Sequence, residues 1–567
     1  MGFILPAARS YDRLTWADLE PDYLDLARRS VSPATADSWL ADWTRLANLV
    51  SEIGARLSVA VSVDTTDAGA EKRLFDFLDD LQPRAQQFEQ NLRRKLIDSG
   101  VRPAGMDIPL RNMQAQADIY REANLPLLTE EHKLSSQYDK IIGAQTVMWR
   151  DEERTVAQTR PILLDPDRAV REQAWRLGMA RQLEDREAIN ELWVRFMSLR
   201  RQIAANADLP SYRDYRWKML LRFAYTPDDC AGFQQVIEEV AVPAAVRTLE
   251  ARRRRLGVET LRPWDLLVDP LGRPPLRPFA DAAELDAGAS RIFHRVDPRL
   301  GAYYDTMRAE GLLDLDNRKG KAPSGYCTEF AAAQRPFIFM NAVGLHEDVQ
   351  TLLHEGGHAF HVFESAGLKY APQREVGLEF AEVASMAMEL LAAPYLTAEQ
   401  GGFYADGEAA RARIEHLEEV LLFWPYMAVV DAFQHWAYQN PEAATNPAHC
   451  DARWAELWSR FMPGVDWSGL DAEMRTGWQR KGHIHQTPFY YVEYGLAQLG
   501  ALQVWRNARH DQAGAVARYR RALSLGGTAA LPDLFAAAGA KFALDAATLA
   551  EAVGLIEATI GQLEDAG

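Results

Sequence analysis

The sequence predicts a mainly α-helical protein of two lobes with a small β-sheet set into it. Three observations lead there. Apolar residues recur at spacings of three and four over most of the chain. One short apolar run, bounded by Pro and Gly, reads as a strand. The chain is 567 residues long and 48% hydrophobic, enough for a large core divided between lobes.

The elements follow in chain order. Trp39, Trp43, Leu46, Val50 and Ile53 are spaced by four, three, four and three, a stripe along one helical face. Similar stripes run through residues 71–98, 185–205, 231–255 and 407–438. Residues 262–280 are rich in Pro and interrupt the helices as a loop or linker. A soft boundary near residue 180 separates an N-terminal helical lobe, 1–180, from a larger region, 181–567. The strand is expected at Arg335-Pro336-Phe337-Ile338-Phe339-Met340-Asn341-Ala342-Val343-Gly344. No fixed-period repeat or low-complexity tail is present.

Composition narrows the function. A net charge of −17 argues against nucleic-acid binding. The one basic run, Arg252–Arg255, lies late in a predicted helix, where cations complement the helix dipole. No apolar run approaches the roughly 20 residues of a membrane span. Met1–Pro6 lacks the basic and apolar regions of a signal peptide. Cys230, Cys327 and Cys450 are scattered and odd in number, which fits a reducing cytoplasm better than a disulfide framework.

The chemistry is concentrated at His354-Glu355-Gly356-Gly357-His358. Two histidines four apart on a helix project from one face, so their imidazoles can share one zinc ion. Glu355, beside the first ligand, is placed to act as general base on a metal-bound water. Asp348 is a candidate cap for this helix, and Val349, Leu352, Leu353, Phe360 and Phe363 supply its buried surface. Gly356 and Gly357 each cost about 1 kcal/mol relative to Ala; lining a cleft for a substrate backbone would justify them. The site needs a third ligand. His361 lies seven residues past His354, about 10 Å along the axis, and is too far away. The position ten residues past His354 is Glu364, not a histidine. The next helix is a better source: Glu375, Glu379, Glu382 and Glu389 share one face of an otherwise apolar segment. A cation facing that stripe would satisfy it.

These two segments, His354–His361 and Glu379–Ser385, resemble the M3 family of zinc oligopeptidases, closest to its oligoendopeptidase F and Pz-peptidase branch. The resemblance extends to Gly320–Cys327, Pro336–Asn341, Pro488–Tyr491 and Leu523–Thr528, over roughly residues 190–545. It implies a helical, zincin-like metallopeptidase whose two lobes enclose a cleft and whose small sheet lies beside the zinc helix. It names Glu382 as third ligand to a single Zn²⁺ and puts Glu379 where a carboxylate would orient a ligand histidine. It implies an oxyanion site in which a His is followed five and nine residues later by Tyr, matched here by His485, Tyr490 and Tyr494. A further family tyrosine is replaced by Ala497. An edge strand beside the metal, read at Arg335–Gly344, would pair with the substrate backbone; a buried strand in a small sheet is the other reading of the same run, and the two are compatible.

The implied activity is endopeptidase cleavage of short oligopeptides in an enclosed cavity. One alternative is a metallocarboxypeptidase of similar helical architecture, which needs a cation to capture the substrate C-terminus. Another is a non-catalytic helical binding protein, against which the intact Glu355 argues.

Overall fold

The computed structural model describes residues 14–318, 320–322 and 325–566. Met1–Pro6, and Pro323 and Ser324 of the 320–327 segment, lie outside the described residues. The chain is mainly helical, and the helices fall where the apolar stripes predict them. Ala36–Val63 carries Trp39, Trp43, Leu46 and Ile53 into the core. The stripe at 71–98 becomes Ala68–Asp76 and Gln82–Asp98, joined by a π-helical turn at Phe77–Leu81. The remaining stripes become Arg186–Asn206, Pro227–Leu256 and Asp406–Gln439. Gly257, with φ of 66°, closes the helix that bears the four arginines. Between Arg262 and Ala280 there is a single 3₁₀ turn, Pro263–Asp265, whose buried Asp265 takes bonds from Arg168 and Arg171.

Two large hydrophobic cores form, with two small clusters around Tyr138 and Trp264 beside them. The smaller gathers Trp16, Tyr23, Trp39, Leu92 and Met113, with Tyr370 reaching in from far along the chain. The larger draws on residues from Val59 to Ile556 and contains both helices that meet at the site described below. Residue 180 lies inside the helix Arg168–Glu184.

Ala36–Val63 also has the length and hydropathy of a membrane span: 28 residues, with a mean hydropathy of 1.3 over its most apolar window. The expectation that no apolar run approaches a span overlooks this helix, because Ser51, Glu52 and Arg56 interrupt its apolar sequence. Glu52 is fully buried and paired with Arg56 at 2.8 Å.

Five strands are present among the described residues. β1 (Thr146–Trp149) and β2 (Glu152–Thr155) form a hairpin turned by Arg150 and Asp151, both at positive φ. β3 (Leu313–Asp316), β4 (Tyr326–Phe330) and β5 (Arg335–Ala342) form a second sheet in the order β3-β5-β4. β5 runs parallel to β3 and antiparallel to β4, with Tyr326 opposite Phe339 and Phe330 opposite Arg335. The predicted strand is therefore present but central, with Phe337–Met340 buried. The edge beside the site is β4, whose smaller apolar content concealed it.

Candidate metal centre

The motif helix, His346–Ser365, leaves β5 through a short turn. It starts two residues before Asp348. That carboxylate reaches back to accept the Val343 and Leu345 N–H groups, each at 2.8 Å. Val349, Leu352, Leu353 and Phe360 are buried, which fixes the rotation of the helix and turns His354 and His358 to its open side. Their rings lie 5.0 Å apart.

Contrary to the expectation that they line a cleft, Gly356 and Gly357 are both buried at helix crossings. A Cβ on Gly356 would come within 2.5 Å of the Phe293 ring. One on Gly357 would come within 2.5 Å of Ala384 O and 2.6 Å of Ser385 Cα. Without side chains there, the glutamate helix, Leu378–Ala392, approaches backbone to backbone. The loop before it rests on Gly526 and Gly527, where a Cβ on Gly527 would meet Glu375 O at 2.0 Å.

The crossing brings Glu382 to the histidines. Its Oε2 lies 3.4 Å from His354 Nε2 and 3.7 Å from His358 Nε2. The three ligand atoms are all within 4.8 Å of one another. Ser385 Oγ donates to Glu382 Oε2 at 3.1 Å and the Tyr490 hydroxyl to Oε1 at 2.9 Å. Burial raises the Glu382 pKa, but His354, His358 and Tyr490 outweigh it and hold the group at about 2. His354 is driven the other way: burial disfavours its charge, yet Glu382 and Glu389 raise its pKa well above the ordinary value. A cation here would replace that proton. Two imidazoles and a carboxylate are the donor set of hydrolytic zinc sites, so the residues fit the ion.

The carboxylate that orients a ligand histidine is Glu389, not Glu379. Glu389 Oε1 is 2.6 Å from His354 Nδ1, and its Oε2 is 2.8 Å from His416 Nε2 on the long helix Asp406–Gln439. Glu379 points away, accepting from the Tyr225 hydroxyl at 2.7 Å, with Arg222 at 3.9 Å. Glu355 sits beside the ligands, 8% exposed. Burial pushes its carboxyl up to about 7, partly opposed by His354 and by the Cys327 N–H of β4, which donates to it.

A match to the peptidase family M3 profile covers residues 162–554, and a match to the peptidase M3 N-terminal domain covers residues 8–105. The chain belongs to peptidase family M3. Solved structures agree. Pz peptidase A, determined with an inhibitor, is 28% identical with a TM-score of 0.90, over 98% of this chain and 100% of that one. A protein given the provisional designation oligoendopeptidase F is 30% identical with a TM-score of 0.89, over 97% of each chain. An oligoendopeptidase F homolog of Borreliella burgdorferi is 24% identical over 287 residues; the match spans 49% of this chain and 46%, about half, of that relative.

Within this M3 fold the C-terminal constellation is arranged differently from the expected spacing. Tyr490 and Tyr494 come together, rings 5.0 Å apart, at the start of the helix Tyr491–Ala508. The histidine beside them is His483, 5.7 Å from the Tyr490 ring and 6.0 Å from that of Tyr494. Burial holds His483 at about 4, so it is neutral and able to donate one N–H. His485 is instead fully buried among Tyr138, Trp193, Phe196 and Trp478, with neither ring nitrogen hydrogen-bonded. Two residues along a short helix, Gly482–Gln486, face opposite ways, which places the two histidines on different sides of the turn.

Tyr490 follows Phe489, whose φ of 66° is strained for a non-glycine residue. Gln434 accepts the Phe489 N–H at 2.5 Å, and Arg222 donates to the Phe489 carbonyl and to Glu493. Arg222 and His416 lie far from the motif and carry no local pattern in the sequence to mark them. His483 stands in the same His- and Tyr-rich segment as His485, and residue order leaves its part in the oxyanion site open.

Proposed function

We propose that the chain is a zinc-dependent endopeptidase acting on short peptides. The observation that carries this reading is the convergence of His354, His358 and Glu382 beside the Glu355 carboxylate. Zinc held by these three would polarise the scissile carbonyl and supply a nucleophilic water at neutral pH.

The chain's own residues do the rest. Glu355 takes a proton from the attacking water and returns it to the departing amine. A cation at His354 and His358 lowers its pKa, so it is ionised when the water is bound. Glu389 holds the His354 ring in place through Nδ1. The Tyr490 hydroxyl, close enough to bond Glu382, donates to the oxyanion as charge develops on the carbonyl, with Tyr494 and His483 beside it. His485, closed inside its aromatic cage, stabilises the turn and stays out of the chemistry. The β4 edge, whose Cys327 N–H meets Glu355, offers main-chain bonds to an extended peptide. Such pairing accepts any sequence, which suits an oligopeptidase. The names of the relatives, Pz peptidase and oligoendopeptidase F, support peptide substrates. The three cysteines, all free thiols, support a cytoplasmic setting.

The test is mass spectrometry of a peptide library incubated with the protein, with and without chelator. Cleavage at internal bonds, including in peptides with amidated C-termini, and its loss with chelator are expected. Removal of C-terminal residues alone would replace this reading with a carboxypeptidase, and chelator-resistant cleavage would remove the metal from it.

A further inference from the structure

A second group of metal-binding side chains is buried between the helix Pro227–Leu256 and the long helix. Cys230, Asp431 and His435 each offer a ligand atom, and these atoms lie within 4.8 Å of one another. Cys230 and Asp431 are fully buried and His435 is 7% exposed. Asp431 and His435 are four apart and share a helical face; Cys230 faces them from the neighbouring helix.

The cluster is incompletely satisfied. Gln234 donates to Asp431 Oδ2 at 2.6 Å, but Oδ1 has no partner. His435 Nε2 lies 3.5 Å from Asp431 Oδ2 and is also unpartnered. Unpaired buried polar atoms occur elsewhere in this chain, His485 among them, but here they belong to residues whose ligand atoms converge with a thiol within reach of a single ion.

We propose that Cys230, Asp431 and His435 form a second divalent-metal site, structural in character and suited to zinc. Thiolate, imidazole and carboxylate together select zinc over magnesium or calcium, which prefer oxygen alone. The ion engages the orphaned Oδ1 and Nε2 and displaces the thiol proton. Two guanidiniums face the cluster. Arg222 is engaged by Glu493 at 2.5 Å and Glu379 at 3.9 Å. Arg213 Nη1 stands 3.5 Å from His435 Nδ1, at the outer limit of a hydrogen bond, and ligation through Nε2 would put the proton on Nδ1 and give up that contact. The site lies under the Tyr490 turn: the His435 ring is 5.2 Å from the Phe489 ring, and Gln434 holds the Phe489 N–H. A bound ion would brace that turn.

Titration of the metal-free full chain with cobalt(II), read by metal analysis and near-ultraviolet absorption, tests this. Two equivalents are expected, one of them giving a thiolate-to-cobalt charge-transfer band that a His/His/Glu centre cannot produce. Cys230→Ser should abolish the band and one equivalent; the His354→Ala/His358→Ala double variant should keep the band and lose the other. Asp431→Asn, as a second route should Cys230→Ser not fold, should weaken the band-forming site at least about tenfold. A folded wild-type chain that binds cobalt without the band, or a band that survives Cys230→Ser, overturns the proposal.

Discussion

Gly357 lies against the backbone of Ser385, and the metal centre depends on that contact. A Cβ at residue 357 would stand 2.6 Å from Ser385 Cα and 2.5 Å from Ala384 O, with no flexible side chain able to give way. Gly357→Ala should gain about 1 kcal/mol of helix propensity but lose more to overpacking, roughly 1–3 kcal/mol. It should also push Glu382 away from the histidines. Lower melting temperature together with weaker zinc retention is expected; an unchanged melting curve with full metal content would mean that the helices part at no cost.

Glu355→Gln keeps shape and leaves all three ligands intact while removing the proton carrier. Turnover should fall by about 10²–10⁴-fold with zinc retained. Steady-state kinetics on variant protein of verified metal content check this, and near-wild-type turnover would dismiss Glu355 from the mechanism.

Glu382→Ala should weaken zinc binding, whereas Glu364→Ala should not. Glu364 is already committed to Arg520 at 2.7 Å, near the C-terminal end of the motif helix. Its loss should lower stability and leave metal content alone. Zinc measured after dialysis separates the two, and equal loss in both variants would unseat Glu382.

Tyr490→Phe keeps the ring and removes the hydroxyl. Loss of an oxyanion donor costs about 10²–10³ in kcat, with a smaller change in substrate binding. His485→Phe is the contrast: its ring packs among four aromatic side chains, so kcat of the folded protein should hold while the melting temperature shifts. If Tyr490→Phe left kcat unchanged while His485→Phe reduced it, the assignments would be reversed.

Glu89 supplies a pH-dependent test of the smaller core. It accepts bonds from Tyr23 at 3.1 Å and Trp43 at 2.5 Å, and burial pushes its pKa up to about 7, with Trp43, Tyr23 and Arg93 opposing and Glu375 adding to the rise. The folded chain therefore binds this proton more tightly than the unfolded chain, and stability falls as pH rises from about 4.5 to about 7. Glu89→Gln should flatten that decline. Melting curves between pH 5 and pH 8 report it; equal slopes in both proteins would show that Glu89 ionises freely.

The sequence by itself determined the features that depend on neighbours along the chain. Helical stripes such as Trp39–Ile53 and 407–438 stand where their spacing requires, because a buried face repeats every three to four residues. His354 and His358 share a face for the same reason. Packing alone distinguishes residues that a spacing of three or seven leaves equivalent. Glu379, Glu382 and Glu389 share one acidic stripe, yet they meet Tyr225, the two histidines, and His354 with His416, respectively. His483 and His485 differ by two positions, yet one faces Tyr490 and the other an aromatic cage. β5 reads as a strand, but its central place in the sheet depends on β3 and β4 beside it. The glycines of the motif carry no pattern of their own; their reason is the backbone of another helix. Periodicity tells which side of an element is buried, and only the packed partner tells what that side meets.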